Sequence, residues 1–300
     1  MTGRPLRSPE GGFLLQRLRA PLATVLLAVL VAGCGASVVP QIMNDSSRMP
    51  LARKLYDKGD YTMAAEVLTG YAQAGAGNAD IDQAIYLLGL TRLKQRDWAG
   101  AQGNFERVLR DYPESDSASS ASYRLGEALF GQSRPSDFDQ EFTLRALSQW
   151  EQFVKGSPDH AFVPTANEKI AVCRTRLARK LWRSGDVYLK QAYYEPARRY
   201  FQSVVDEYSD TPVYGDAMIG LAMTNARLGM KDSALAMLRT LEADFAGKPL
   251  GDAAAQVRRK VEHWPAEGDR RRRRNRAIEP AAPPQLPTAP STTGGISGTP

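Results

Sequence analysis

This sequence has few of the residues from which folded chains usually build chemistry. Its 300 residues include two cysteines, Cys34 and Cys173, and two histidines, His160 and His263. The histidines are far apart and neither has a cysteine pair beside it, so no metal is expected. A phosphate-cradling glycine loop, a Gly-x-Ser-x-Gly elbow and a paired-histidine helix are all missing, and an enzyme reading has no residue to stand on. Nor does the N-terminal apolar stretch, ten residues from Leu22 to Val31, approach the ~20 residues of a spanning helix. Charge of one sign is lacking where it would matter. The formal charge of +6 comes from four arginines in residues 1–33 and six in the run Arg270 to Arg276, while the body between them nets −2. A near-neutral body has no electrostatic footprint for a phosphate backbone, so no nucleic acid is expected as partner.

What is there begins with an address. Arg17 and Arg19 precede the apolar stretch, which ends in Val31-Ala32-Gly33-Cys34. A basic segment, a short apolar run and small residues before a cysteine fit a secretory leader. A short membrane anchor or a buried helix would not explain why small residues abut a cysteine. The four residues resemble the lipobox of bacterial lipoproteins. That resemblance implies a thioether-linked diacylglycerol on Cys34, cleavage before it, and an N-acyl chain on the new terminus; no other cofactor is expected. At about 0.8 kcal/mol per buried CH₂, three chains make such an anchor effectively permanent. Gly35 stands where an inner-membrane retention signal often has Asp, which points to the outer membrane. Residues 35–48 then form a tether reaching at most about 45–50 Å. With Cys34 lipidated, Cys173 is alone, so no intramolecular disulfide can form, and its amphipathic context makes it a small buried hydrophobe.

The body repeats itself. Ala101, Phe105, Val108 and Tyr112 recur as Ala197, Phe201, Val204 and Tyr208, each set preceded by a glycine-containing apolar half, Leu88-Gly89 or Gly185. Further copies run from Gly59 to Ala64 and Leu68, from Gly126 to Ala146, Trp150 and Phe153, and from Gly229 to Ala234, Leu238 and Leu241. The turn positions Gly59 and Arg96 are 37 residues apart, as are Ala192 and Gly229. Spacings of four and three return to one helix face, and small residues let antiparallel helices approach closely. The layout resembles the tetratricopeptide repeat, whose period is about 34 residues. The expected fold is therefore all-α, a solenoid of about five helix pairs in which stacked neighbours bury what one pair cannot.

Two irregularities interrupt it. Residues 132–145 (QSRPSDFDQEFTLR) lengthen the turn of the third repeat, and 164–189 reads as one long helix linking the first three repeats to the last two. Asp137, Asp139 and Glu141 in the insert lack the spacing and glycine of a calcium loop, and a solvated acidic loop is the simpler reading. The expected organisation is a signal peptide (1–33), a lipidated tether (34–47), an N-terminal module of three repeats (48–163), a C-terminal module of two repeats plus a capping helix (164–264), and a disordered basic, proline-rich tail (265–300). The arginine run could touch lipid phosphates or protein, though a solvated tail is commoner.

In order and content these pieces resemble the BamD family, the lipoprotein assembly factors of the BAM complex. The resemblance is carried by the lipobox, the five repeats, the insert leading to FTLRALSQWEQFVKGSPDHAF, the long helix with RLARKLWRSGDVYLKQAYYEPARRYF, and EYSDTPVYGDA. Family members commonly have Tyr-Pro-Asp-Thr in that last segment; here Ser209 replaces the proline. The likeness spans about 34–246 and leaves out the arginine run and the tail. It implies a lipid-anchored scaffold on the periplasmic face of the outer membrane that assists assembly of β-barrel proteins. Its implied partners are the POTRA domains of BamA, other BAM lipoproteins and unfolded outer-membrane proteins. Arg199, which matches a family arginine and lies about 200° round its helix from Ala197, is expected to pair with a POTRA carboxylate. Arg53, Tyr56, Tyr86, Tyr123 and Phe130 are expected to line a groove for an aromatic-rich peptide with a terminal carboxylate; Tyr86 and Tyr123 would otherwise pack between repeats. A pilus-secretin or cell-envelope adaptor would share lipobox and solenoid but usually lacks the insert and long helix. A peptidoglycan-associated adaptor would use the tail to reach across the periplasm.

Overall fold

A computed structural model describes residues 45–73 and 80–264; Cys34, the leader, most of the tether and the tail lie outside the described residues. The chain divides into two units at Arg48/Met49. Of the first, only the opening turn of a helix is described; the second holds the repeats.

Among the described residues every regular element is helical, and there are five pairs and one single helix. The pairs are α1 (Asp45–Asp57) with α2 (Tyr61–Gln73), α3 (Ile81–Lys94) with α4 (Trp98–Asp111), and α5 (Ala118–Gln132) with α6 (Glu141–Gly156). Then come α7 (Val163–Lys190) with α8 (Tyr194–Glu207), α9 (Tyr214–Arg227) with α10 (Lys231–Asp244), and the unpaired α11 (Pro249–Glu262). From α2 onward each helix packs on the next, and α3 on α5, α7 on α9 and α9 on α11 also touch. Odd-numbered helices thus form one layer and even-numbered helices the other. The all-α solenoid of five pairs expected from the repeat spacing is the fold observed. No helix among the described residues is long and apolar enough to cross a membrane.

The repeated stripes form the core. Ala101, Phe105 and Val108 on α4, and Ala197 and Val204 on α8, are fully buried, as are Ala146 and Trp150 on α6 and Ala234 and Leu238 on α10. Each large ring is seated over a glycine of the preceding helix. A Cβ on Gly89 would stand 2.6 Å from the Phe105 ring, one on Gly126 2.4 Å from Trp150, and one on Gly185 2.8 Å from Phe201. The glycines are therefore sockets that let the two layers close.

The turns share one geometry. Gly59, Arg96, Ala192 and Gly229, the positions aligned by the repeat, all have positive φ. In each the next residue's amide reaches back five residues, as Asp97 does to the Arg92 carbonyl at 2.9 Å, which closes the odd helix in a Schellman-type cap. Asp97 then caps α4 by accepting from the Gly100 amide at 2.9 Å. The third repeat differs: residues 133–140 separate α5 from α6. This insert is built around Gln140, 2 % exposed, whose side-chain amide lies 2.8–3.3 Å from the carbonyls of Arg134, Pro135, Phe138 and Asp139. The helix α7, next along the chain after α6, has 28 residues, about 42 Å at 1.5 Å per residue. Lys180 donates to the Phe138 carbonyl at 2.6 Å, and Arg183 pairs with Asp137, so the long helix carries the insert along its flank.

Candidate functional site

The odd-numbered layer of the first repeats holds an open groove of about 410 Å³. Its walls follow from helical periodicity. On α3, Leu90 and Lys94 are four residues apart and project together; on α5, Glu127, Phe130 and Gly131 occupy one face. Tyr56 closes one end from α1, Lys169 the other from α7, and Trp98 and Trp150 reach in from the even layer. Trp98 comes close because Gly131 has no side chain: a Cβ there would be 2.4 Å from the indole.

The electrostatics are cationic but ordered. Arg124 donates to Glu127 at 2.6 Å and its guanidinium lies 4.8 Å from the Phe162 ring centroid. Burial pulls its pKa down, but its hydrogen bonds to Glu127 and Tyr86 more than offset this, so it stays charged. Its Nε is buried without a partner. Lys94 and Lys169 have no hydrogen-bond or ion-pair partner among the described residues, so the groove offers two free ammoniums beside a compensated Arg124–Glu127 pair. Burial, then the neighbouring Tyr61, raises the Tyr56 phenol above its ordinary pKa, and it remains a neutral donor.

The residues singled out from sequence are dispersed, and only some of them meet at the groove. Tyr56 and Phe130 line the groove. Tyr86 stands beside it, half-buried, its ring 5.9 Å from Phe105 and its hydroxyl on Arg124. Tyr123 is 2 % exposed, packed among Trp150, Phe153 and Phe162 with its hydroxyl donating to Glu127 at 3.3 Å. It supports the floor rather than facing the opening. Burial, then Glu127, pushes its pKa up to about 12. Arg53 is exposed and donates to Gln83 at 2.8 Å, away from the groove wall. Arg199 is exposed on α8, two positions beyond the buried Ala197. Cys34 lies outside the described residues. Cys173 is fully buried, and burial pushes its thiol up to about 12, an inert side chain.

Sequence reasoning missed Lys94, Trp98, Arg124 and Lys169. Tyr86, Leu90 and Lys94 are spaced by four, so extending that stripe finds Lys94. Lys169 enters from α7, outside the repeat register, and no spacing points to it. Among the described residues no group of three or more His, Cys, Asp or Glu side chains could hold a metal.

Paired helices in two layers with an open groove on one of them define a repeat scaffold that presents a surface to other chains. The sequence matches the YfiO family, outer membrane lipoproteins, over residues 52–241, and the chain belongs to that family. It is 25% identical over 232 residues to the outer membrane protein assembly factor BamD of Caulobacter vibrioides, which covers 75% of this chain and 76% of that protein. Among solved structures it is similar to a tetratricopeptide repeat protein from Parabacteroides merdae (15% identity, 72% of each chain, TM-score 0.32). Another is a thermophilic TPR protein of Thermus thermophilus (19% identity, 71% of this chain and 98% of that one, TM-score 0.33). The protein is thus a lipid-anchored outer-membrane lipoprotein built as a repeat scaffold.

Proposed function

We propose that this lipoprotein is the BamD-type scaffold of a BAM complex, assisting insertion of β-barrel proteins by holding BamA and receiving the C-terminal signals of its substrates. The observation that carries the reading is the groove lined by Tyr56, Trp98 and Phe130 with the unpaired Lys94 and Lys169, inside the stretch that matches the family. An extended peptide ending in an aromatic residue and a carboxylate needs those two features: flat apolar walls for rings and a cation without a competing anion. The terminal carboxylate is met by Lys94 or Lys169, because they line the groove and Arg53 does not. Family kinship supports the anchor, a thioether-linked diacylglycerol and an N-acyl chain on Cys34, and with it a station on the periplasmic face.

In this reading the repeats of 48–163 receive substrate and those of 164–264 dock on the POTRA domains of BamA, with Arg199 supplying an ion pair and other BAM lipoproteins joining the assembly. Pull-down of the tagged, lipidated protein from detergent-solubilised outer membranes is expected to enrich BamA, and Arg199→Glu to weaken that enrichment. A barrel-protein C-terminal peptide carrying a photocrosslinker is expected to label the groove, and Lys94→Glu with Lys169→Glu to reduce labelling at least tenfold. Recovery of a secretin in place of BamA, or labelling indifferent to both lysines, overturns the proposal.

A further inference from the structure

A second groove lies on the flank of the molecule, between the insert of the third repeat and the long helix, with a volume of about 630 Å³. It is distinct from the aromatic groove and plays no part in the function proposed above. One wall is α7, where Val172, Arg176, Arg179 and Arg183 follow one another at spacings of four, three and four, a single helix face. Val172 is 48 % exposed, and Val187, four residues beyond Arg183 on the same face, is 50 % exposed.

The guanidiniums differ in what they already hold. Arg176 donates to the Ser133 hydroxyl and stacks over the Phe130 ring at 4.4 Å. Arg183 donates to the Ser136 hydroxyl at 3.3 Å and pairs with Asp137. Between them Arg179 is exposed and has no partner among the described residues. The carboxylates at the rim are already neutralised, Asp137 by Arg183 and Asp210 by Arg174, which makes two bonds to it at 2.6 and 2.8 Å. The groove therefore carries an uncompensated positive charge on a body whose net charge is slightly negative.

We propose that this groove binds an extended, acidic segment of a partner protein, with a carboxylate on Arg179 and an apolar side chain on Val172. Bidentate pairing with a planar guanidinium selects a carboxylate. Seven residues separate Arg179 from Val172, about 10 Å along the helix; side chains two apart on an extended segment face the same wall about 6.6 Å apart, and the long Arg179 side chain covers the remainder. The protein's own tail is a poor occupant: beyond Arg270 its one acidic side chain is Glu279, three residues from Arg276. A lipid headgroup would use the charge but not the apolar wall formed by Pro135, Val172 and Pro212.

The test uses the full-length lipidated protein in detergent micelles and a fluorescein-labelled, amidated (Glu-Glu-Val-Val)₂ peptide, in which each face of the extended chain carries both residue types, read by fluorescence anisotropy at low salt. Arg179→Glu is expected to weaken binding at least tenfold, Arg179→Gln less, and the (Gln-Gln-Val-Val)₂ peptide to bind at least tenfold more weakly than the acidic one. Lys94→Glu, which alters the other groove, is expected to leave the acidic peptide's affinity unchanged. Equal binding by Arg179→Glu, or equal binding of the glutamine peptide, overturns the proposal. Loss of binding in Lys94→Glu alone assigns the peptide to the aromatic groove and overturns it too. Arg179-dependent binding of phosphatidylglycerol vesicles without peptide binding makes the site a lipid site. A tenfold gain on truncation at residue 269 makes the tail its occupant; either result overturns the proposal.

Discussion

At the scale of single residues, the insert depends on Gln140. Its side chain is almost wholly buried, its amide faces four loop carbonyls, and its Oε1 accepts from Thr143 at 2.8 Å. Gln140→Leu keeps the volume and removes every one of these bonds, leaving carbonyls and the Thr143 hydroxyl desolvated without partners. The expected loss is about 1–3 kcal/mol, read as a lower urea midpoint at unchanged slope. Two buried acids give a second prediction. Burial pushes Cys173 up to about 12, and burial with Glu127 pushes Tyr123 up to about 12, above unfolded values of about 8.5 and 10. Both folded pKa values are raised, so the stabilisation is fully present below the unfolded values and is lost as pH rises from about 8.5 towards 12. Urea titrations should show falling stability over that window, by about 1.4 kcal/mol per pH unit for each group titrating in the unfolded chain. Cys173→Ala should flatten the lower part of the decline. At pH 8 the native thiol should resist a disulfide-exchange reagent until urea is added.

At the scale of elements, the pairing of glycine with a ring is what fixes helix separation, and it yields substitutions of opposite sign. Gly126→Ala brings a methyl to 2.4 Å from Trp150, whose ring is held by a bond from Nε1 to the Tyr123 carbonyl at 3.1 Å and cannot swing aside. Overpacking should destabilise by about 1–3 kcal/mol. Gly103→Ala, on the exposed side of α4 with nothing within 4 Å, should instead stabilise by up to ~1 kcal/mol; thermal melts of the two variants decide. The same elements show what the sequence made legible. Ala101, Phe105 and Val108 announce a buried face because their spacing is a property of one helix, and the turn residues Gly59, Arg96, Ala192 and Gly229 align because a left-handed turn residue closes four of the five pairs. The groove was only partly legible. Tyr56 and Phe130 face it, but Tyr123, one turn before Glu127, faces the core, since which flank of a helix is covered depends on its neighbours' closeness. Lys169 required knowing where α7 passes, a long-range fact that no local spacing encodes.

At the scale of the whole molecule, a stack in which each repeat touches its neighbours gains stability from its interfaces, and its ends must be closed. The helix α11 closes one. Ala254 and Val261 are fully buried against the cluster of Ala234, Leu238 and Leu241. Arg258 reaches Glu242 at 2.8 Å, Lys231 donates to the carbonyls of Glu262 at 2.8 Å and Trp264 at 3.3 Å, and Arg227 lies 3.9 Å from the Trp264 ring centroid. Truncation before Pro249 uncovers Leu238 and Leu241, each worth about 1.5–3 kcal/mol when fully buried. In a globular core such a loss would lower every part of the fold together. In a nearest-neighbour stack it should act locally. Hydrogen exchange on the truncated protein is therefore expected to show protection lost in α9 and α10, reduced in α8 and unchanged in α3 to α6. The groove of the first repeats, proposed above to receive a substrate peptide, should keep its affinity for that peptide. Uniform loss of protection along the chain would mean that the repeats fold as one cooperative unit, and that the long α7, which packs on α6, α8 and α9, couples the two ends instead of separating them.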